Sequence, residues 1–185
     1  MEYDDKLVAA AAEDRDALGQ LYELYHDPIY RYCRHRLFTR EAAEDVVSAV
    51  FLGVAEGIRD FRGTTHGKFR CWLYKIATNK VAQYVRTSKR RRRLLEAAVA
   101  CGTLSTASGD CDNGRPDWST VYQAVVRLKP REQVIVTLRF FEGLPTNEIA
   151  EIMNCKPGTI RVALLRATRR LKDHLGAAGI KADSR

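Results

Sequence analysis

Arginine and lysine recur in this chain at spacings that suit a polyanion, most clearly near its C-terminal end. Between residues 157 and 175, Ile160, Leu164, Ala167, Leu171 and Leu175 fall at spacings of four, three, four and four, the stripe of a helix with one buried face. Arg161, Arg166, Arg169, Arg170 and Lys172 then lie on the other face. That is enough charge to meet phosphates while side chains near the helix start reach base edges. Just upstream, Ile149, Ile152 and Met153 form an apolar stripe on a short helix, and Ala150 is small where a second helix must cross closely. Asn154 tolerates left-handed backbone, and Pro157 presets φ for the first turn of the following helix. Two short helices around a tight turn, the second rich in arginine, make a helix-turn-helix with its reading helix outward. The plainer alternative is an amphipathic hairpin with a solvated basic face.

A second cationic stretch has a different chemistry. Residues 61–93 hold 11 Lys/Arg and no acid, whereas residues 1–60 hold 7 Lys/Arg against 13 Asp/Glu. Residues 94–118 are net −3 and residues 119–185 net +6, giving the chain its total of +8 and a pI near 9.4. If 68–93 is one helix, Phe69, Trp72, Ile76 and Val81 pack inward. Lys75, Asn79, Lys80, Arg86, Lys89 and residues 90–93 face out with Tyr84 among them. Cations interleaved with aromatic rings suit single-stranded nucleic acid, whose bases stack while its phosphates are neutralised. The alternative is that Trp72 and Tyr74 are core and the arginine run a solvated helix end. Polyanion binding should concentrate in the second and fourth blocks, leaving the acidic first block for a protein partner.

Other chemistries find little support. His26, His35, His66 and His174 form no recognisable constellation, and residues 61–93 lack the clustered carboxylates of two-metal catalysis. Cys33 and His35 are two apart on a helix and point away from one another, against a metal site. No catalytic residue, metal or cofactor is expected. Five cysteines without regular spacing fit a reducing compartment, with Cys101 and Cys111 open to a redox role. The opening MEYDDKL has acids where a secretory leader has lysines, and no apolar run approaches a membrane span, so a cytoplasmic protein is expected.

The elements that must position these residues are all helical. Residues 14–25 and 28–37 read as two helices, the second opened by an Asp27 cap and Pro28 at its first position. Residues 41–58 follow, with Val46, Val47, Val50, Phe51 and Val54 on one face. A Gly-rich loop at 63–67 leads into the long basic helix. Gly, Ser, Asp and Pro crowd residues 94–118, which read as a flexible linker. Helices are expected over 121–128 and 130–141, then the helix-turn-helix. The expected fold is all-α: two small helical domains over 1–93 and 119–176, the linker 94–118 between them, and a flexible tail over 177–185.

The segments EDVVSAVF (44–51), FRCWLYKIATN (69–79) and EIAEIMNCKPGTIRVALLRA (148–167), in this order, resemble the sigma-70 family of bacterial RNA polymerase sigma factors. More narrowly they resemble its two-domain extracytoplasmic-function group. The resemblance implies a sigma region 2-like domain, a region 4-like domain, and a protein that binds core RNA polymerase and directs it to promoters. Asp45, Ser48 and Phe51 would then meet the clamp helices of the largest polymerase subunit. The loop at 63–69 and its helix would open and read the minus-ten element, through His66, Lys68, Phe69, Lys75, Asn79, Lys80, Tyr84 and Arg86. Lys156, Thr159, Arg161, Val162, Arg166 and Arg169 would read the minus-35 element, and the second domain's apolar side would meet the polymerase flap. An anti-sigma factor is a further implied partner. The chain departs from the family's pattern at Ser48 and Ala49, where Gln-Glu is frequent, and at Ala163 and Leu165, frequently Arg and His. Lys156 stands where a capping Ser is usual. The alternative function is a stand-alone helix-turn-helix regulator, although the chain offers no heptad run for dimerisation.

Overall fold

The computed structural model describes residues 2–100 and 119–177, with the side chains at 2–4, 92, 94–100, 119, 120 and 177 left aside. Every regular element among the described residues is helical. In chain order these are α1 (Glu2–Ala10), α2 (Arg15–Leu37), α3 (Arg40–Gly57) with a 3-10 turn at Ile58–Asp60, α4 (His66–Ala100), α5 (Ser119–Val126), α6 (Pro130–Val136), α7 (Thr146–Ile152) and α8 (Pro157–Ala177). A π-helical turn, Thr137–Phe141, continues α6. The all-α expectation is met, and α3, α7 and α8 lie within a residue or two of where the periodicity puts them.

Three boundaries differ. Arg15–Leu37 is one helix, not two: Asp14 caps α2 by accepting from Asp16 N at 2.8 Å, and Pro28 sits inside the helix. An internal proline costs about 3 kcal/mol. The buried stripe Leu21, Tyr25, Ile29, Tyr32, Cys33 runs unbroken across it, and at roughly 1.5–3 kcal/mol per large apolar side chain that burial outweighs the missing bond. The carboxylate of Asp27, expected as a cap, faces His26 Nδ1 at 3.1 Å instead. Secondly, α4 continues to Ala100, so the first part of the expected linker is helical; residues 101–118, with Cys101 and Cys111, lie outside the described residues, as does the tail from 178. Thirdly, α1 was not expected at all. It seats Val8 in the core and turns Asp5 onto the start of α4, where Oδ1 accepts from His66 N at 2.6 Å. Thr65 Oγ1 accepts from Lys68 N at 3.3 Å, so two side chains satisfy the first N–H groups of α4.

One apolar core runs through both helical groups. Leu21, Ile29, Tyr32, Val50, Val54, Phe69 and Leu73 from α2, α3 and α4 belong to the same buried cluster as Ile135, Leu138, Leu144, Ile149 and Ile160 from the second group. Polar contacts cross the same seam. Arg36 Nη1 donates to Gln133 Oε1 at 2.8 Å, Tyr74 Oη donates to Glu142 Oε2 at 2.9 Å, and His35 Nδ1 is hydrogen-bonded to Tyr122 Oη. A small second cluster, Val125, Leu128, Val136 and Ala167, ties α5 and α6 to α8.

Candidate nucleic-acid interface

The helix-turn-helix forms as its residue types dictate. Ile149, Ala150 and Ile152 of α7 and Ile160 and Ala167 of α8 are buried, so the small Ala150 allows the two helices to cross closely. Asn154 adopts φ 48° in the turn, and Cys155 N donates to Ala150 O at 2.9 Å, closing it. With Ile160 and Ala167 fixed inward, the opposite side of α8 is solvent. Thr159, Arg161, Val162, Arg166 and Arg169 are all exposed there, as is Lys156 just before the helix.

Three residues outside the expected reading set join this surface. Leu165 is 72% exposed and, with Val162 three residues earlier, puts an apolar pair at the centre of the arginine face. Lys129 and Arg131, at the start of α6, line a groove of about 540 Å³ with Thr159, Val162 and Arg166. Glu132 positions them: only 8% exposed, it pairs with Arg170 of α8, while its Oε2 accepts from Lys129 N at 3.3 Å. Arg170 therefore serves as an internal tie and leaves the outward cationic face. Leu165 carried a signal, since an apolar residue opposite the buried stripe breaks the amphipathic pattern. Lys129 and Arg131 carried none, lying some thirty positions away.

The basic helix α4 turns Phe69, Trp72, Ile76 and Val81 inward as their spacing implies, but two of its rings do not fit the minus-ten roles expected of them. Phe69 is 1% exposed and packs on Tyr25, Phe61 and Trp72 at ring distances of 5.4, 5.9 and 5.8 Å, so its ring is core and unavailable to a base. Tyr74 is buried as well, and Tyr84 is half-buried against the core, where a fully outward ring was expected. Trp72 packs against the core without being enclosed. Lys68, Lys75, Asn79 and Arg86 are exposed and Lys80 is half-exposed. His66 is engaged: Nε2 is 2.7 Å from Tyr25 Oη.

Beside α4, residues 61–65 and the helix enclose an open cleft of about 530 Å³, lined by Phe61, Arg62, Thr64, Lys68, Trp72 and Lys75, with Glu151 of α7 at one side. Gly63 shapes it: a Cβ there would stand 2.3 Å from Phe61 Cζ and 2.9 Å from Lys68 Cβ. Cys71 also lines it, its thiol pushed up to about 11, chiefly by burial and then by Glu148 and Glu151.

On α3, Asp45 and Ser48 are exposed, and Phe51 is half-buried against Tyr22 at a ring distance of 4.6 Å. Leu52, 59% exposed, extends the Asp45–Ser48 row by one more turn and adds an apolar side chain to it.

Comparison with known proteins agrees with this geometry. Residues 21–91 match the family described as Sigma-70 region 2, and residues 119–171 match Sigma-70, region 4. The ECF RNA polymerase sigma factor SigD of Mycobacterium tuberculosis is 33% identical over 181 residues, covering 95% of this chain and 85% of the relative. The chain is an ECF sigma factor of the sigma-70 family. The ECF sigma factor BldN of Streptomyces coelicolor is 34% identical over 164 residues, 88% of this chain but 61% of BldN's own length. SigW of Bacillus subtilis is 28% identical over 172 residues, 88% of this chain and 90% of SigW. Among solved structures, CnrH in complex with the cytosolic domain of CnrY superposes with a TM-score of 0.69 at 22% identity, covering 98% of this chain and 99% of that one. The likeness supports the fold. As an ECF sigma factor the protein directs RNA polymerase to promoters, and the stand-alone regulator is not favoured.

Proposed function

We propose that this sigma factor divides promoter recognition between the two faces described above, with 1–93 and 119–176 as its domains and 94–118 as the connection. The exposed side of α8, from Lys156 to Arg169, enters the major groove of the minus-35 element. Arginines there contact phosphates and guanines, while Val162 and Leu165 contact thymine methyl groups. Lys129 and Arg131 hold the neighbouring backbone. The cleft beside α4 takes the opened minus-ten strand, with Arg62, Lys68, Lys75, Asn79 and Lys80 on its phosphates and bases and Trp72 at its wall. Asp45, Ser48 and Leu52, backed by Phe51, form the contact with the polymerase clamp, and the exposed Phe140 and Val126 are an apolar surface for the flap.

The single observation that carries this reading is the partition of α8: Ile160 and Ala167 fully buried, and every expected reading residue exposed on the opposite side. Catalysis belongs to the polymerase, the setting is the cytoplasm, and no cofactor is required. A protein inhibitor of the anti-sigma kind completes the scheme. It is supported by the solved sigma factor RpoE of Bartonella quintana in complex with the anti-sigma factor NepR, which shares the fold with a TM-score of 0.62 over 85% of this chain and 96% of that chain, at 22% identity. Run-off transcription from a library of upstream fragments, with purified core polymerase and with or without this protein, tests the reading. Protein-dependent initiation at discrete sites is the expected result. Site-specific binding by the protein alone, without initiation, would replace the proposal by the stand-alone regulator.

A further inference from the structure

Among the described residues that line the groove between α6 and α8, Glu132 is the one acid. Lys129, Arg131 and Arg166 share that lining, and Arg170 Nη1 donates to Glu132 Oε1. On charge alone an acid here is a fault, because it repels the phosphates that the cations attract. Its placement says otherwise. Glu132 is buried, whereas Lys129, Pro130 and Arg131 before it, at the start of α6, are exposed. Its second oxygen, Oε2, accepts from Lys129 N at 3.3 Å, so one carboxylate ties the first turn of α6 together and binds that turn to α8. Val136, one turn farther along α6, shares a buried cluster with Ala167 of α8. Apolar contact of that kind sets how far apart two helices lie but is non-directional, so it lets one helix roll on the other. A directed bond between Glu132 and Arg170 sets the roll.

The roll matters because DNA must be met by both helices at once. Phosphate contacts fix register and base contacts fix sequence, and the two can be made together only at one separation. With Glu132 held on Arg170, Lys129 and Arg131 line the groove that Thr159, Val162 and Arg166 line from the α8 side. From this geometry we propose that Glu132 and Arg170 are positioning residues for minus-35 recognition: their pair holds α6 at the roll that sets Lys129 and Arg131 on the DNA backbone while α8 lies in the major groove. Arg170 is four residues after Arg166, on the same stripe of α8, and the same bond withholds it from DNA. Neither member of the pair touches a base or a phosphate. The inference rests on the reading of α8 as the minus-35 helix and of Lys129 and Arg131 as backbone contacts.

The test is holoenzyme binding, by competition and across a range of salt, to duplex fragments carrying the minus-35 element found by run-off mapping. Charge and positioning predict opposite signs for Glu132→Gln. Removing an acid and freeing Arg170 would tighten binding and steepen its salt dependence by about 0.9. Positioning predicts the reverse, because glutamine turns one of two acceptors into a donor and keeps Lys129 N or Arg170 but not both. Binding should weaken about tenfold on every sequence, and the salt dependence should flatten by up to about 1.8, as two phosphate contacts are lost at about 0.9 each. The penalty for each base change in the minus-35 element should stay as in wild type, since α8 is still seated by Ile160 and Ala167. Arg170→Met should act alike. The double variant, which leaves no unpaired buried charge and so folds even where Arg170→Met does not, should bind no more weakly than Glu132→Gln. Unchanged or tighter binding by Glu132→Gln would overturn the proposal, as would a further loss in the double variant. Loss of base preference in step with affinity would also overturn it, because that is general loosening of α8. Lys129→Ala with Arg131→Ala separates the two readings. If the salt slope is unchanged, the backbone assignment has failed; if it flattens while Glu132→Gln leaves it as in wild type, the positioning role alone has failed.

Discussion

Replacing Leu165 with alanine should make one position of the minus-35 element indifferent to the thymine methyl group. Leu165 is 72% exposed and Val162 48% exposed on a helix face otherwise occupied by arginine, so neither contributes much to the core. Three residues of helix advance about 4.5 Å, close to one base step, so the pair can address adjacent bases. Burying one methyl group against a leucine is worth about 0.8 kcal/mol, a factor of about four in affinity. The assay replaces each thymine of the minus-35 element in turn with deoxyuridine, which lacks only the methyl, and measures holoenzyme binding by competition. Wild type should lose about fourfold at one or two positions. The Leu165→Ala holoenzyme should lose nothing at one of them, giving a coupling energy equal to the methyl's contribution. Its melting midpoint should stay near wild type, as substitutions at exposed sites usually change stability by under about 0.5 kcal/mol. If no deoxyuridine weakens wild type, or if the alanine variant is as sensitive as wild type everywhere, the apolar pair does not read methyl groups and α8 is seated in another way.

Three further outcomes are expected. Gly63→Ala should impair strand opening, measured by permanganate reactivity, while leaving minus-35 binding intact, because the new Cβ would press on Phe61 and on Lys68 Cβ at the cleft wall; overpacking of this kind costs about 1–3 kcal/mol. Replacing residues 90–93 with alanine should flatten the salt dependence of holoenzyme binding to duplex DNA by about 0.9 per lost phosphate contact, and an unchanged slope would make that run a solvated helix end. Glu142→Gln should raise the melting midpoint at neutral pH, with the gain shrinking as pH falls toward 4.5. Burial lifts the Glu142 carboxyl above its ordinary 4.5, against the opposing hydrogen bond from Tyr74 and charge of Arg31. The folded chain therefore binds this proton more readily than the unfolded one, and wild type loses stability as pH rises through the raised value. Glutamine carries no such cost and can still accept from Tyr74. His35, held below its ordinary value by burial and by Arg31 and Arg34, titrates in the opposite sense but is common to both proteins and drops out of the comparison. A gain that is independent of pH would refute the charge argument.

Helix-forming periodicity is local, and so it was legible. The apolar stripes of α3, α7 and α8, the left-handed Asn154, and the exposure of Thr159, Arg161, Val162, Arg166 and Arg169 on α8 follow from local residue types and from spacings of three and four within single segments. Charge blocks were legible for the same reason, because they are sums over consecutive residues. The fate of individual side chains on α4 was legible only in part. Phe69 and Val81 turn inward as their spacing implies, but Tyr74 is core and Tyr84 half-buried because α1 and α2 pack against α4 and the second group closes over it. None of those contacts has a trace in the α4 sequence itself. Pro28 likewise looked like a helix start, since its local preference is real, and lost to a buried stripe that runs along the whole of α2. The sequence by itself thus determined the family, most of the helices and the exposed cationic face of α8, written in local spacings along single segments. Tertiary structure alone decided which cations remain available: Arg170 goes to Glu132, Arg70 to Glu148 and Lys68 to Glu151, from partners 38, 78 and 83 positions away. Ion pairing is set by distance in space, and distance along the chain says nothing about it.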